Sequence, residues 1–471
     1  MSSAMPATFA PDWLVEPADV NELPSKVWPR RTTRAESGEI TIGGASASAL
    51  VAQYGTPVLV LDEQEIRDRA AETVAAFTEA VAAHNAAVTV YYAGKAFLST
   101  HIARWVTEAG LNVDVCSGGE LAVALAAGVD PARIGFHGNN KSDAEIDRAV
   151  AVGIGTIVID SFEEVDRVAA AAAQAGTRQR VLVRVNSGVH AETHDFLATA
   201  HEDQKFGITL RDAPRVVAAI RAHSSLEFRG LHCHIGSQIF GSSGFRESAR
   251  RMVAAHAELL AGGEAPQLNL GGGFGIAYTS IDDPAPIADL AREIVDAVAE
   301  ECVARGIAIP HLSFEPGRSI VGTAGVTLYS VGTTKEVTVD TPEGERMRRY
   351  ISVDGGMSDN ARTALYGAQY SARLANRTSG SAAQLSRVVG MHCESGDIVV
   401  DNEYLPADAT RGDLIAVPAT GAYCASLASN YNHVPRPPVI AVRVGEARIL
   451  VRGETIDDLL ARDAGADEGE A

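Results

Sequence analysis

From about residue 60 to about residue 320 the chain alternates between two textures. Short runs rich in β-branched and aromatic residues end in small or polar ones, and Ala-rich stretches with helical spacing follow them. The runs are VTVYYAGK (from Val88), LNVDVCS, RIGFHG, TIVID, RVLVRVN, RGLHCHIG, PQLNLGGG and PHLSFEPG. Between them lie patterns such as GELAVALAAG, SDAEIDRAVAVG, SFEEVDRVAAAAAQAG and PAPIADLAREIVDAVAEECVARG. Eight alternating units predict an α/β fold, a (β/α)8 TIM-type barrel over residues 61–325. A doubly wound sheet is the alternative. Against it, the turn NLGGGFGIAY comes late, and Ile276 stands where the third glycine of G-x-G-x-x-G belongs. A phosphate-binding G-x-x-x-x-G-K-[ST] does not occur.

Past residue 320 the texture changes. GVTLYSVGTTKEVTV, RRYISVDG, SRVVGMHCESGDIVV, DLIAVPATGAYC and PPVIAVRVGEARILVRG are β-rich, and no long helical pattern interrupts them. They predict a second, mostly antiparallel β domain over 326–460. Residues 1–60, with a short strand pattern at EITIGG, are expected to pack on that domain, and 461–471 to form a solvated acidic tail.

Composition narrows the function classes. The 471 residues are 46% hydrophobic and 21% charged, enough for a sizeable core. A net charge of −20, with no Lys/Arg-rich stripe, argues against nucleic acid and against anionic membrane surfaces. The five cysteines (116, 233, 302, 393 and 424) are odd in number and form no C-x-x-C, so neither a disulfide framework nor a structural zinc site is expected. The first residues lack the basic and apolar regions of a secretory signal, and no run suits a membrane span. A cytoplasmic protein is expected.

In a barrel of this kind function gathers where the strands finish. Those ends read Lys95, Asp114 to Ser117, His137 to Asn139, Asp160, Arg184, His234 to Ser237, Gly271 to Gly273, and Glu315 to Arg318. The triple glycine offers backbone N–H groups at close range, suited to a dianionic phosphate. Lys95, at the end of an apolar strand, is expected to be desolvated, and a neutral amine attacks a carbonyl to form a Schiff base. Glu315 suits a pyridine nitrogen that must stay protonated, and His234 suits the face of a flat ring. His232, two residues earlier, shares a strand face with His234, which permits a metal reading, but no further ligand spacing accompanies it. Asp160 and Arg184 read as ties between strand ends, and Asp114 and Glu120 as orienting groups near Lys95. His190, His194 and His201 fall in an inserted segment at 187–206 that reads as a solvated lid.

Seven segments, YYAGKAF, HIGSQ, NLGGGFG, FEPGR, MSDNARTALYGAQY, HCESGD and ATGAYC, resemble in order the signature segments of diaminopimelate decarboxylases. The resemblance runs over roughly residues 50 to 455. It implies a pyridoxal 5'-phosphate barrel of the alanine-racemase/ornithine-decarboxylase type followed by a β domain, decarboxylating meso-2,6-diaminopimelate to L-lysine. Carried over by position, Lys95 holds the cofactor as a Schiff base, His234 stacks on its ring and Glu315 pairs with its nitrogen. Gly236, Ser237, Gly271, Gly272, Gly273, Gly317 and Arg318 lie about the cofactor, and Tyr423 reaches the phosphate or its neighbourhood. The resemblance further implies that Arg318, Arg362 and Tyr366 grip the distal carboxylate, that Glu394 takes the distal ammonium, and that Cys393 is the general acid. It implies a homodimer whose HCESGD segment reaches the partner's site. AGKAF and NAR depart from commoner family spellings without removing a reacting group.

Overall fold

The computed structural model describes residues 9–189, 205–342 and 344–466. The chain divides into two compact units. One takes Arg67–Ile276 and Asp283–Ile320; the other takes the chain as far as Ile66, Ala277–Asp282, and everything from Val321 onward.

The first unit is the barrel. Its strands are Val88–Ala93, Asn112–Val115, Ile134–Phe136, Thr156–Ile159, Gln179–Asn186, Leu226–His232, Gln267–Asn269 and His311–Phe314. Each pairs parallel with the next, and the last closes on the first through Leu312 opposite Val88. These are the eight runs legible in the sequence. The strands are short and nearly all buried; Thr156–Ile159 is buried at every position. That fits a parallel sheet covered on one face by helices and filled on the other by its own side chains.

Serine sets where four of the covering helices begin. Ser99, Ser117, Ser142 and Ser161 each stand just before a helix in extended conformation and accept the N–H three residues on. At Ser142 the bond is reciprocal, because Glu145 returns its carboxylate to the Ser142 N–H. The helix Thr100–Glu108 then buries Ile102, Ala103, Trp105 and Val106 against the barrel. Early, well-capped helix starts keep the loops after the strands short, so the strand-end side chains stay close together.

The second unit is built on a seven-strand path that runs Ile398–Pro406, Ala383–Val389, Gly344–Val353, Gly325–Thr341, Val58–Asp62, Val439–Arg443 and Glu446–Val451. Most pairs are antiparallel; Gly344–Val353 with Ala383–Val389, and Val58–Asp62 with Val439–Arg443, are parallel. Leu414–Pro418 adds to the strand Gly325–Thr341 from the side. Val58–Asp62 was not read as a strand of this sheet from the sequence, yet it is an inner strand of the path, between Gly325–Thr341 and Val439–Arg443, and is buried at all five positions. The EITIGG segment supplies Ile40–Ile42, and the Ile40 N–H donates to the Ala375 carbonyl at 2.7 Å.

All five cysteines are free thiols. Among the described residues no helix is long and apolar enough to cross a membrane. His190, His194 and His201 of the predicted lid, and residues 467–471 of the predicted tail, lie outside the described residues.

Candidate active site

The barrel's strand ends enclose a cavity of about 520 Å³. Lys95, Asp114, His137, Arg184, His234 and Glu315 all line it. Lys95 sits in a single tight turn, Gly94–Ala96, directly after the first strand. It is exposed at the cavity wall rather than buried among apolar side chains, and Glu120 lines the same cavity.

Glu315 lies on the cavity floor, 8% exposed. Its Oε1 accepts from Asn269 Nδ2 at 2.6 Å, and its Oε2 meets His232 Nε2 at 3.1 Å. Burial pushes its carboxyl up, but His232 and then His137 outweigh that and hold it below the ordinary carboxylate range. Burial pushes the His137 and His232 imidazoles down to about 4, so both are neutral at pH 7. His234 is lowered as well, by burial first and by the Lys95 charge second. A neutral ring above the floor suits stacking on another flat ring. His137, His232 and Glu315 offer three ligand atoms within 4.8 Å of one another, a third donor that the strand spacing alone did not reveal. Hydrogen bonds from Asn269 and His232 to Glu315 account for the carboxylate's place in the cluster.

The glycine turn is packed too tightly for any side chain. A Cβ would meet the Cys233 carbonyl oxygen at 2.2 Å from Gly271, that of Glu315 at 2.0 Å from Gly272 and that of Gly236 at 2.5 Å from Gly273. The Gly271 N–H donates to Asn269 Oδ1 at 2.9 Å, and the Gly272 N–H meets His234 Nδ1 at 3.4 Å. One asparagine therefore holds both the turn and Glu315. Ser237 Oγ accepts from Arg318 Nη2 at 2.8 Å, and Gly317 lies against the Ala93 carbonyl, where a Cβ would come within 2.9 Å. Of the barrel residues that the resemblance assigns to the cofactor, Lys95, His234, Gly236 and Glu315 line the cavity itself, and the glycine turn backs it. Arg184 Nε approaches Asp160 Oδ2 at 4.0 Å, and Asp160 Oδ1 accepts the Gly207 N–H at 2.7 Å, a tie between strand ends as read.

Arg362, Tyr366, Cys393, Glu394 and Tyr423 belong to the other unit. Arg362 is 6% exposed, with its guanidinium 4.5 Å from the Tyr278 ring centroid and 5.5 Å from that of Tyr370. It donates to the Tyr370 hydroxyl, and no carboxylate pairs with it among the described residues. Tyr366 is 67% exposed, and Cys393 and Glu394 are exposed on the turn between Ala383–Val389 and Ile398–Pro406. That turn is fixed from behind: Asp397 accepts from the Met357 and His392 N–H groups at 2.6 and 2.7 Å. Tyr423 adopts a left-handed φ of 60°.

Sequence reasoning gave no role to His137 or Asn269. His137 stood in the strand-end reading without a partner, and Asn269 stands two residues before the glycine run. Nothing in local spacing signals that both converge on Glu315.

The residues present fit a pyridoxal phosphate. A crowded cradle only glycine can form, an anionic carboxylate on a buried floor, a neutral imidazole and an accessible lysine occupy one cavity. Comparison with known proteins agrees. Residues 67–322 match the family described as pyridoxal-dependent decarboxylase, pyridoxal binding domain. A protein of Mycobacterium tuberculosis (strain ATCC 25618 / H37Rv) named diaminopimelate decarboxylase is 49% identical over 448 residues, covering 93% of this chain and 98% of that one. One of the same name from Corynebacterium efficiens is 46% identical, covering 94% and 95%. The crystal structure of diaminopimelate decarboxylase from M. jannaschii in complex with L-lysine is 30% identical, with a TM-score of 0.83 over 93% of this chain and 98% of that one.

Proposed function

The chain belongs to the diaminopimelate decarboxylase family, and from that premise we propose that it decarboxylates meso-2,6-diaminopimelate to L-lysine and CO2 with pyridoxal 5'-phosphate as cofactor. The observation that carries this reading is the pairing, in one cavity, of an accessible Lys95 with a Glu315 carboxylate held anionic on the floor. Lys95 would hold the cofactor aldehyde, Glu315 its ring nitrogen, His234 its face, and Gly236, Ser237 and Gly271 to Gly273 its phosphate. Bound there, the cofactor supplies an electron sink for the pair released when the Cα–carboxylate bond breaks. A carboxylate opposite the ring nitrogen favours that sink; a guanidinium there would weaken it.

The remaining roles fall to the other unit. Arg362 is a buried cation held between two tyrosine rings without an acid, and a substrate carboxylate supplies the missing charge. Tyr366 and Arg318 are assigned to the same carboxylate, and Tyr423 to the phosphate or its neighbourhood. Glu394 would take the distal ammonium. Cys393 would deliver the proton that replaces CO2 at Cα, and its exposure leaves the thiol accessible for that transfer. Leu365 and Met391, beside Tyr366 and Cys393 in sequence, are 61% and 55% exposed, which supports a homodimer in which a second copy meets these segments. Lysine biosynthesis in the cytoplasm is the matching role.

The test is CO2 release with pyridoxal phosphate from a panel of meso-diaminopimelate, ornithine, arginine and lysine, together with borohydride reduction and peptide mapping. Release from diaminopimelate alone, with the label on Lys95, is expected. Release from ornithine or arginine instead, or a label elsewhere, overturns the assignment.

A further inference from the structure

Two carboxyl groups share the cavity floor. Asp114, at the end of Asn112–Val115, is 7% exposed, and neither of its oxygens accepts a hydrogen bond. Glu315 has two partners, Asn269 and His232. One ring nitrogen stands between the acids: His137 Nε2 is 3.2 Å from Asp114 Oδ1 and 3.4 Å from Glu315 Oε1. Two carboxylates this close in a buried place do not both ionise at neutral pH. The hydrogen-bond donors decide which one carries the charge, and they all serve Glu315.

We propose that the floor holds one proton along the Asp114–His137 contact, so that Asp114 is a neutral acid, His137 its acceptor, and Glu315 the floor's only anion. Asp114 donates its O–H to His137 Nε2, which leaves the proton of the neutral imidazole on Nδ1. His232 carries its proton on Nε2, toward Glu315; its Nδ1 is then a bare acceptor, and that atom is buried with no hydrogen-bond partner. The charged groups facing His137 are Glu315, Arg184, Lys141 and Lys95, besides Asp114 itself. The three cations oppose an imidazolium, which keeps the proton on the acid. Burial, and then the Glu315 charge, push the Asp114 carboxyl well above the ordinary range; the Lys95 charge opposes them and Glu120 adds to the rise.

Asp114 and His137 are thereby positioning residues. With Nε2 occupied by the Asp114 proton, His137 gives Glu315 no hydrogen bond; the two residues act on it only through the field, and they confine the floor's negative charge to the acid assigned to the cofactor nitrogen. That use rests on the cofactor reading above; the proton count does not.

Asp114→Asn is the isostere of the protonated acid and separates the cases. A raised carboxyl contributes stability below its unfolded value and loses it as pH rises through the folded value, so removing it relieves a penalty that grows with pH. The variant is expected to melt no lower than wild type at pH 5, with the difference moving in its favour as pH rises to 8. Infrared difference spectra of wild type minus variant at pH 7 are expected to show a protonated carboxyl band. Loss of a carboxylate band instead, or destabilisation of Asp114→Asn that matches Glu315→Gln, overturns the inference. Asp114→Ala, which removes the isostere, guards against a purely steric result and is expected to melt below Asp114→Asn. None of these readouts needs the cofactor. Borohydride labelling of Lys95 in the same preparations judges the cofactor reading separately.

Discussion

Lys141 gives the sharpest energetic prediction. It is 2% exposed, and its ammonium donates to the Gly138 carbonyl at 2.8 Å, the Val158 carbonyl at 2.7 Å and Glu164 Oε1 at 2.8 Å. Glu164 is 3% exposed, and its Oε2 accepts the Asp160 N–H at 2.7 Å. Lys141→Met keeps the volume and removes the charge. Glu164 is then a buried carboxylate with one donor, a state that costs about 3–5 kcal/mol when a buried pair is broken from one side. Adding Glu164→Gln removes the stranded charge and keeps an acceptor for Asp160, so the double variant is expected to recover to within about 1 kcal/mol of wild type. The coupling in the cycle is therefore about 2 kcal/mol or more. Urea denaturation of the four proteins at pH 7, followed by circular dichroism, measures it. A loss below about 1 kcal/mol for Lys141→Met, or additive losses, would show that the pair is not the tie drawn here. The Gly138 contact also makes Lys141 a brace for the loop after His137, so cofactor retention is expected to weaken with stability.

Two further outcomes follow from the same cavity. Gly272→Ala puts a methyl group against a backbone carbonyl at 2.0 Å, which must displace the turn, so half-saturation with pyridoxal phosphate should rise about tenfold or more. Gly241→Ala, which meets nothing within 4 Å, is the control, and equal cofactor binding by both would remove the turn from the phosphate site. For His232, a fall from 6.5 to about 4 means that its contribution is intact above the unfolded value and lost as pH drops between the two. That is about 3 kcal/mol over the interval, so His232→Asn should flatten the acid limb of stability between pH 6.5 and 4; an unchanged slope refutes the buried neutral imidazole.

The barrel was legible because its signal is local. Each strand such as TIVID is a short apolar run, and the helices that follow carry a 3.6-residue period, four of them with a serine cap. Lys95, His234 and Glu315 were legible for a related reason: in a barrel, position at a strand end is itself a statement about the cavity. Asn269 and His137 were not, because their meaning lies in strands that meet only when the sheet closes. The placement of Val58–Asp62 was hidden for the same reason. VLVLD reads as a strand, but nothing in it says that its neighbours are Gly325–Leu328 and Val439–Val442. Lys95 is exposed rather than buried, and this was not legible because an apolar strand says where its own residues go, and not where a turn after it points.

That strand also governs the order in which the protein can be made. On a ribosome Val58–Asp62 emerges early, while one neighbour follows more than 250 residues later and the other almost 400. Throughout translation of the intervening barrel, a strand buried at all five positions in the fold waits with both hydrogen-bonding edges open. A nascent chain of this design finishes its middle before its beginning. The N-terminal strand becomes safe from aggregation only once both of its late neighbours have been made.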